Sequence, residues 1–546
     1  MKIPLIVQNA WIHAYMLLVK HGGWKRFIKQ TSHPQAVQQA VLQRILTSQA
    51  QTAFGEKHRF KVLRGYHEFR LGVPIHTYED LRPFIKAQEQ IKDAQLNMEA
   101  PVRYALTSGT TGKPKYIPIL GSTEEAIRGY QQLSTYAQYR ALPAIFRGKM
   151  LVIAGQAHEG YLETGTSYGS MSGLLSAGLP QVLKQKLLLP ESLNLIGDYQ
   201  RKYFRMAAWA LAEPALSVIA TANPSTLLKL LDMGRQHFPK ILELLSSKDQ
   251  NMHQKDGPIP RPTRRRLRYL QSFLGHENRL TMEELWPKLQ AVVTWTGGSC
   301  GVLIPRLKTV LPKKTKIVEM GYLASECLGS LNVDVENNRC IPTFHENFFE
   351  FIEQAEWDRN RPTTLTLDQI EKGKKYYVVV TTSNGLYRYF INDLIEVTGR
   401  FNKVPTIRFV QKGKGVTNLT GEKLCEYHIM EAMEEIQKGY HTTIDFYLMV
   451  GNARTLQYTL YIEHPPLDHF VGYKLERHLG QGNPEFHAKR ESTRLGPTQI
   501  VYLQPGTAEA YKVYCVQQGQ REAQFKLVKL QYAQDCSFDF AKYVRS

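Results

Sequence analysis

Thr107-Ser108-Gly109-Thr110-Thr111-Gly112-Lys113-Pro114-Lys115 is the stretch on which the reading of this 546-residue chain turns. Upstream, Val102, Tyr104 and Leu106 share one face of an alternating run; downstream comes Tyr116-Ile117-Pro118-Ile119. Period-two alternation on both sides makes the stretch a loop between two strands. Glycines and short hydroxylated residues let backbone N–H groups converge on an anion, and Lys113 and Lys115 add positive charge, so the expected ligand is a polyphosphate. A Walker loop is excluded. That motif needs Gly, four residues, then Gly-Lys-Ser/Thr opening a helix, whereas Thr107 stands five residues before Gly112 and Pro114 follows Lys113. Clusters of Gly, Ser and Thr are usually plain surface turns; the two lysines and the flanking strands set this one apart.

Before the loop the chain reads as mostly helical. Val37, Val41 and Ile45 recur every four residues, predicting a helix over 34–54 that Gly55 stops. The N-terminal run, Ile3 to Val19, is interrupted by Gln8, Asn9 and His13 and ended by Lys20, so it reads as a helix packing on the main domain rather than a membrane span or signal sequence. After the loop, Ser122 and Glu125 have capping-box spacing for a helix to about Arg140. Met150–Ala154, Leu216–Ala220, Ala291–Trp295 and Ile317–Met320 then read as buried strands alternating with helices, one of which begins at Asn223-Pro224-Ser225. That alternation predicts an α/β domain with substantial parallel sheet, whose ligands sit beyond the strand carboxyl ends. Thr296-Gly297-Gly298-Ser299 and Gly321 to Glu326 fall there. A hairpin is expected around Asn384-Gly385, joining Tyr376–Thr382 to Tyr387–Ile391. Past Gln411-Lys412-Gly413-Lys414-Gly415 the pattern becomes helix, hairpin, helix, strand, with Ile444–Val450 and Leu456–Ile462 pairing across Gly451-Asn452. Residues 1–410 are thus expected to form a large α/β domain and 411–546 a smaller α+β one.

Composition narrows the class. Apolar content of 43% and charged content of 22% are globular values. A net charge of +20 invites nucleic acid or an anionic membrane. The densest basic run, Arg261 to Arg268, lacks aromatic interleaving, however, and reads as a solvated loop entering a helix. No specific nucleic-acid partner and no membrane association are expected. None of the six cysteines has C-x-x-C or metal-ligand spacing, so they read as reduced thiols of a cytoplasmic protein.

The stretch at 107–115 resembles the phosphate-binding loop of the adenylate-forming superfamily, which includes acyl-CoA synthetases, luciferases and peptide synthetase adenylation domains. Its continuation, Tyr116-Ile117-Pro118-Ile119, is similar to the Gretchen Hagen family, the auxin-responsive acyl acid amido synthetases. Further segments match in order. The resemblance implies an ATP site in which Thr107, Ser108, Gly109, Thr110, Thr111, Gly112 and Lys115 hold phosphates, with Lys113 acting in catalysis. Thr296-Gly297-Gly298-Ser299 resembles the glycine turn against the adenine. Tyr322-Leu323-Ala324-Ser325-Glu326 resembles the family's Tyr-Ala-Ser-Ser-Glu segment, implying that Tyr322 packs on the base, Ser325 lines the nucleotide site and Glu326 holds Mg²⁺; Leu323 replaces a smaller residue. Tyr387-Arg388-Tyr389 with Asn392-Asp393 resembles Tyr-Arg-Tyr…Gly-Asp, implying that Asp393 accepts from both ribose hydroxyls. Asn392 stands where the family has glycine, a replacement that tolerates positive φ. A bond between Arg388 and Asp393 is the structural alternative.

Lys412-Gly413-Lys414-Gly415 and Thr420-Gly421-Glu422-Lys423-Leu424 resemble the hinge and the opening of the small domain. Gln524-Phe525-Lys526 resembles Gln-Tyr-Lys, implying that Lys526 reaches the reacting carboxylate while Lys529 serves as a neutral comparison. The implied activity is a ligase that adenylates a carboxylic acid with Mg-ATP and passes the acyl group to an amine, an amino acid being expected. The alternatives are an acyl-CoA synthetase and a non-catalytic, basic nucleotide-binding protein. The acid is expected between the helix after Ser122, the segment Tyr161–Tyr168 and the turn near Ser299, with Tyr161 and Tyr168 suiting an aryl or indolyl acid.

Overall fold

A computed structural model describes residues 5–545 apart from 92, 108–113, 197, 248–257, 357–361, 414, 418, 420, 421, 423, 453, 492, 494, 519, 521, 523 and 524. Strands Lys149–Ile153, Leu216–Thr221, Ala291–Thr294 and Lys316–Glu319 lie side by side in that order, and every pair is parallel. Both faces are covered, so the strands are mainly apolar, with charged residues such as Lys149, Lys316 and Glu319 at their ends. Met150, Val218 and Val293 enter one apolar cluster; Leu151, Ile219 and Val292 enter another with the helices that follow each strand. Asn223 caps one of those helices, its Oδ1 accepting from Ser225 N at 2.9 Å, and Pro224 occupies the first turn.

The expected hairpin belongs to a larger, seven-stranded antiparallel sheet. Strands Lys375–Thr381 and Tyr389–Phe401 reverse at Asn384-Gly385, where Gly385 has φ +96°. Strands Arg103–Thr107 and Lys115–Ile119 pair antiparallel, Thr107 opposite Lys115, so the opening stretch does join two strands; its residues 108–113 lie outside the described ones. Beyond residue 425 come a helix Glu426–Gly439, the hairpin Tyr447–Asn452 with Gln457–Ile462, a helix Val471–Gly482 and the parallel additions Gln499–Tyr502 and Leu530–Tyr532. Their apolar residues form two clusters of their own.

Three local expectations need correction. The helix from Pro34 ends at Ser48, and Gly55 lies inside a second helix, Ala53–Lys57. A Cβ on Gly55 would sit 2.1 Å from the Gln49 carbonyl, so close backbone approach, not helix termination, demands glycine. The helix Gly121–Ala141 has the predicted extent but not the predicted cap: Leu120 N donates to Thr123 Oγ1, and Ser122 Oγ donates to Glu99. Gly451 pairs with Tyr458 and Asn452 with Gln457, so the C-terminal reversal falls beyond Asn452.

The N-terminal helix Leu5–Val19 packs through Ile12, Met16 and Val19. The polar residues that interrupt its apolar run are its docking contacts: the buried Lys186 donates to Asn9, and His13 bonds Tyr139 Oη at 2.7 Å. Among the described residues no helix is long and apolar enough to cross a membrane. Within the basic run, Arg266 is buried and donates to the carbonyls of Leu211 and Leu285, so one of its charges serves the core.

Candidate active site

The carboxyl ends of the parallel strands open onto two cavities. The larger, about 1700 Å³, is bordered by Thr107, Lys115, Ser325, Glu326, Tyr389 and Lys526. The smaller, about 540 Å³, is bordered by Thr296, Gly297, Tyr322, Arg408 and Phe409. Trp295 and Lys526 border both. The Lys526 ammonium sits 4.3 Å from the Trp295 ring centroid and 5.0 Å from that of Phe409, against aromatic faces that attract a cation.

Two hydrogen-bonded pairs set the site's shape. Tyr322 Oη donates to Asp393 Oδ2 at 2.7 Å, and the Tyr322 ring stacks on Phe409 at 5.8 Å and 16°. Tyr389 Oη lies 3.4 Å from both Lys115 Nζ and Glu326 Oε1, linking a residue beside the opening loop to the glutamate beyond the last parallel strand. Burial, reinforced by the neighbouring carboxylates, pushes both phenols well above the ordinary tyrosine range, so they stay protonated donors. Asp393 is only 1% exposed and is engaged by Tyr322. Asn392 before it has φ +61°, the left-handed turn that its replacement of glycine allows. Arg388 does not pair with Asp393; its guanidinium meets Glu350 at 2.8 Å, both side chains being buried.

Glycine at 297 and 298 has a steric cause. A Cβ at Gly297 would lie 2.7 Å from the Phe409 carbonyl oxygen, and Gly298 has φ +56° beside the Phe409 ring. The strand Val404–Lys412 therefore presses directly on this turn. Ser299 follows in a short 3-10 segment, Gly298–Leu303; its side chain is outside the described ones.

Sequence reasoning missed Glu319. Its carboxylate accepts from Thr296 N at 2.7 Å and from Gly321 N at 2.9 Å, tying together the turns after two parallel strands. The signal was present, a lone charge ending an apolar strand. It also missed that the Asn223 amide donates to the carbonyl of Phe525, next to Lys526. No local pattern could show a contact across 302 positions. Asn223→Ala removes the helix cap and this anchor together and is expected to lower stability by about 1 kcal/mol, read as a fall in the urea midpoint.

Lys529 is not the neutral comparison its spacing suggests. It is 2% exposed, its ammonium lies 3.8 Å from the Tyr447 ring centroid, and its backbone N–H donates to Glu426. Burial pulls Lys529 down to about 7 against the pull of Glu426, and pushes Glu426 up to about 7 against the contacts with Lys529. Glu422 is another buried anchor, accepting from Leu419 N at 2.6 Å and from Tyr458 Oη. The expected acid wall is also partly displaced. Tyr161 is 67% exposed and packs on His158, while Tyr168 packs edge-on against Tyr116. Neither borders the large cavity.

The GH3 family N-terminal domain matches residues 23–317, the GH3 family central domain 340–412 and the GH3 family C-terminal domain 427–534. The chain belongs to the GH3 family. Among its relatives is indole-3-acetic acid-amido synthetase GH3.15 of Arabidopsis thaliana, 25% identical over 449 residues, covering 74% of this chain and 72% of the relative. Indole-3-acetic acid-amido synthetase GH3.3 of the same plant is 22% identical over 548 residues, covering 92% and 90%. The solved structure of GH3.15 acyl acid amido synthetase superposes with a TM-score of 0.80 at 19% identity, covering 95% of each chain. A 2-hydroxyisobutyryl-CoA ligase in the postadenylation state gives 0.57 at 12% identity over 93% of this chain and 92% of its own. The fold of this GH3 chain is therefore that of the adenylate-forming enzymes, a large α/β N-terminal part followed by a C-terminal one.

Proposed function

We propose that the chain is an ATP-dependent acyl acid amido synthetase. The observation that carries this reading is the convergence of Lys115, Glu326 and Lys526, from three distant segments, on one cavity at the ends of the parallel strands. The acid's carboxylate oxygen attacks the α-phosphorus of ATP and pyrophosphate leaves with the P–O bond electrons. An amine then attacks the acyl carbon, AMP departs, and the nitrogen loses a proton to complete the amide. A carboxylate is a poor acyl donor; adenylation gives it a leaving group, and the protein's part is positioning and charge neutralisation.

Lys115 and residues 107–112 hold the phosphates and Lys113 acts in catalysis, the roles the motif resemblance implies. The smaller cavity takes the base, against Tyr322 and the turn at Gly297, Gly298 and Ser299. Asp393 takes the ribose and fixes the Tyr322 ring, while Ser325 lines the approach. The Glu326 carboxylate, 8% exposed and bordering the cavity, suits Mg²⁺, which takes one or two carboxylates and would offset phosphate charge when bound. Residues 411–546 form a smaller unit that moves against residues 1–410 and carries Lys526. The product is an amide, as the relatives' name amido synthetase suggests, and the amine is taken to be an amino acid, as the motif resemblance implies. The free thiols suit a cytoplasmic setting.

The test is acid-dependent exchange of labelled pyrophosphate into ATP with Mg²⁺, followed by product analysis with amino acids or CoA as acceptor. Exchange and an amide product are expected; a folded protein that exchanges with no acid in a broad aryl, indolyl and fatty panel refutes the reading. Glu326→Ala is expected to slow exchange roughly 10- to 100-fold, from a lost charged contact of about 1.5–3 kcal/mol, with an unchanged circular dichroism spectrum. An unaltered rate and Mg²⁺ dependence would make the glutamate structural.

A further inference from the structure

We infer that the acid activated here is a linear, largely saturated monocarboxylic acid of about ten carbons, lying between the parallel sheet and the helix Gly121–Ala141. The inference rests on the adenylation reading above and names its substrate class. The large cavity exceeds the roughly 300–1,000 Å³ of an ordinary ligand pocket, and its border runs from the phosphate end both to the parallel sheet and to residues such as Tyr511 and Phe538. Met150, Val152, Val218 and Ala220 line its sheet side. They occupy alternate positions of neighbouring strands, so their side chains share a face. Leu175 and Leu183 border it at one side and Tyr130, Ser134 and Gln138 across from the sheet.

The chemistry of these walls selects the ligand. Lys115, Glu326 and Lys526 lie at the phosphate end; of the other described residues that border the cavity only Glu159 and Asp535 are charged, and both are acidic. A second carboxylate would meet no cation beyond the phosphate end. The amides on the helix side are occupied within the protein, Gln131 donating to the Leu175 carbonyl at 3.0 Å and Gln138 to Ser134 Oγ at 3.4 Å. From the sheet side the ligand meets aliphatic carbon and the thioether of Met150, surfaces that adapt to a flexible chain. Tyr161 and Tyr168 stand outside the cavity, whereas the rings of Tyr130 and Phe146 border it beside the aliphatic sheet side.

Length follows from the elements. Val218 to Ala222 is four strand residues, roughly 13 Å at about 3.3 Å each. Tyr130 to Gln138 is eight helix residues, roughly 12 Å at about 1.5 Å each. An extended chain advances roughly 3.3–3.6 Å per three bonds, so about ten bonds fill that depth.

Exchange is to be measured with butyrate, hexanoate, octanoate, decanoate, dodecanoate, palmitate and indole-3-acetate. The expected kcat/KM rises roughly fourfold per methylene, about 4,000-fold over the six methylenes from butyrate to decanoate, and then stops rising. Ala220→Phe blocks the channel midway and is expected to move the optimum to hexanoate or shorter; Val152→Phe, on the adjacent strand, repeats the test independently. A flat chain-length profile, or indole-3-acetate exceeding decanoate, overturns the inference and leaves the synthetase reading intact. Calorimetry with decanoate separates the two claims. Binding without exchange by any acid refutes adenylation but supports the aliphatic pocket, and neither binding nor exchange refutes both.

Discussion

Lys526→Ala lowers the single-turnover rate of acyl-adenylate formation about 100- to 1,000-fold, the effect of removing one electrostatic donor aimed at developing charge, and leaves ATP affinity nearly unchanged. The ammonium rests against Trp295 and Phe409, on the wall between the two cavities. A group that meets negative charge only as the α-phosphate is attacked contributes to turnover more than to binding. Aminolysis of supplied acyl-adenylate is expected to fall less. Lys542, exposed at the chain's end, is the proper control, and Lys542→Ala should match the unaltered protein. Lys529→Ala would instead remove a buried ammonium that attracts the buried Glu426 carboxylate and lose stability, so it cannot report on catalysis. A normal adenylation rate for Lys526→Ala would remove the C-terminal segment from the catalytic apparatus.

Arg388→Met lowers stability by about 3–5 kcal/mol, the cost of leaving one member of a buried ion pair alone. Glu350 is that member. Arg388 Nη2 and Nε donate to it at 2.8 and 2.9 Å, and Nη1 donates to the carbonyl of Val73 at 2.7 Å and of Arg70 at 3.0 Å. Arg388 itself has φ +43°, held by these bonds at the entrance to the strand that carries Tyr389 and Asp393. The urea midpoint should fall at unchanged slope, and Arg388→Met with Glu350→Leu should recover much of the loss, because replacing both partners removes the orphaned charge. If the single variant unfolds at the normal midpoint, the pair contributes nothing.

The parts legible in the sequence were those whose physics is local. Leu216–Thr221 and Ala291–Thr294 announced themselves because a strand covered on both faces must be apolar throughout. Asn392 kept the left-handed turn because its side chain tolerates that conformation. The seven-stranded sheet was legible only at its hairpin; Phe348–Glu353 pairs with Lys375–Thr381 for reasons no short window holds. Arg388 was recognisable as a notable residue, but its partner lies 38 positions away and not at Asp393. The acyl channel left least trace, since Val218 and Ala220 are ordinary core residues whose function lies in the gap before them. Tyr161 misled for the complementary reason: an aromatic residue type does not reveal whether its ring points inward.

The uneven burial of the thiols supplies a reporter. Five of the six cysteines are buried, whereas Cys536 is half-buried and borders the large cavity. Burial raises its thiol above the ordinary range, so alkylation requires mildly alkaline solution. A single maleimide fluorophore at this native residue would then sit at the border of the large cavity, and its emission could follow ligand entry without any engineered cysteine.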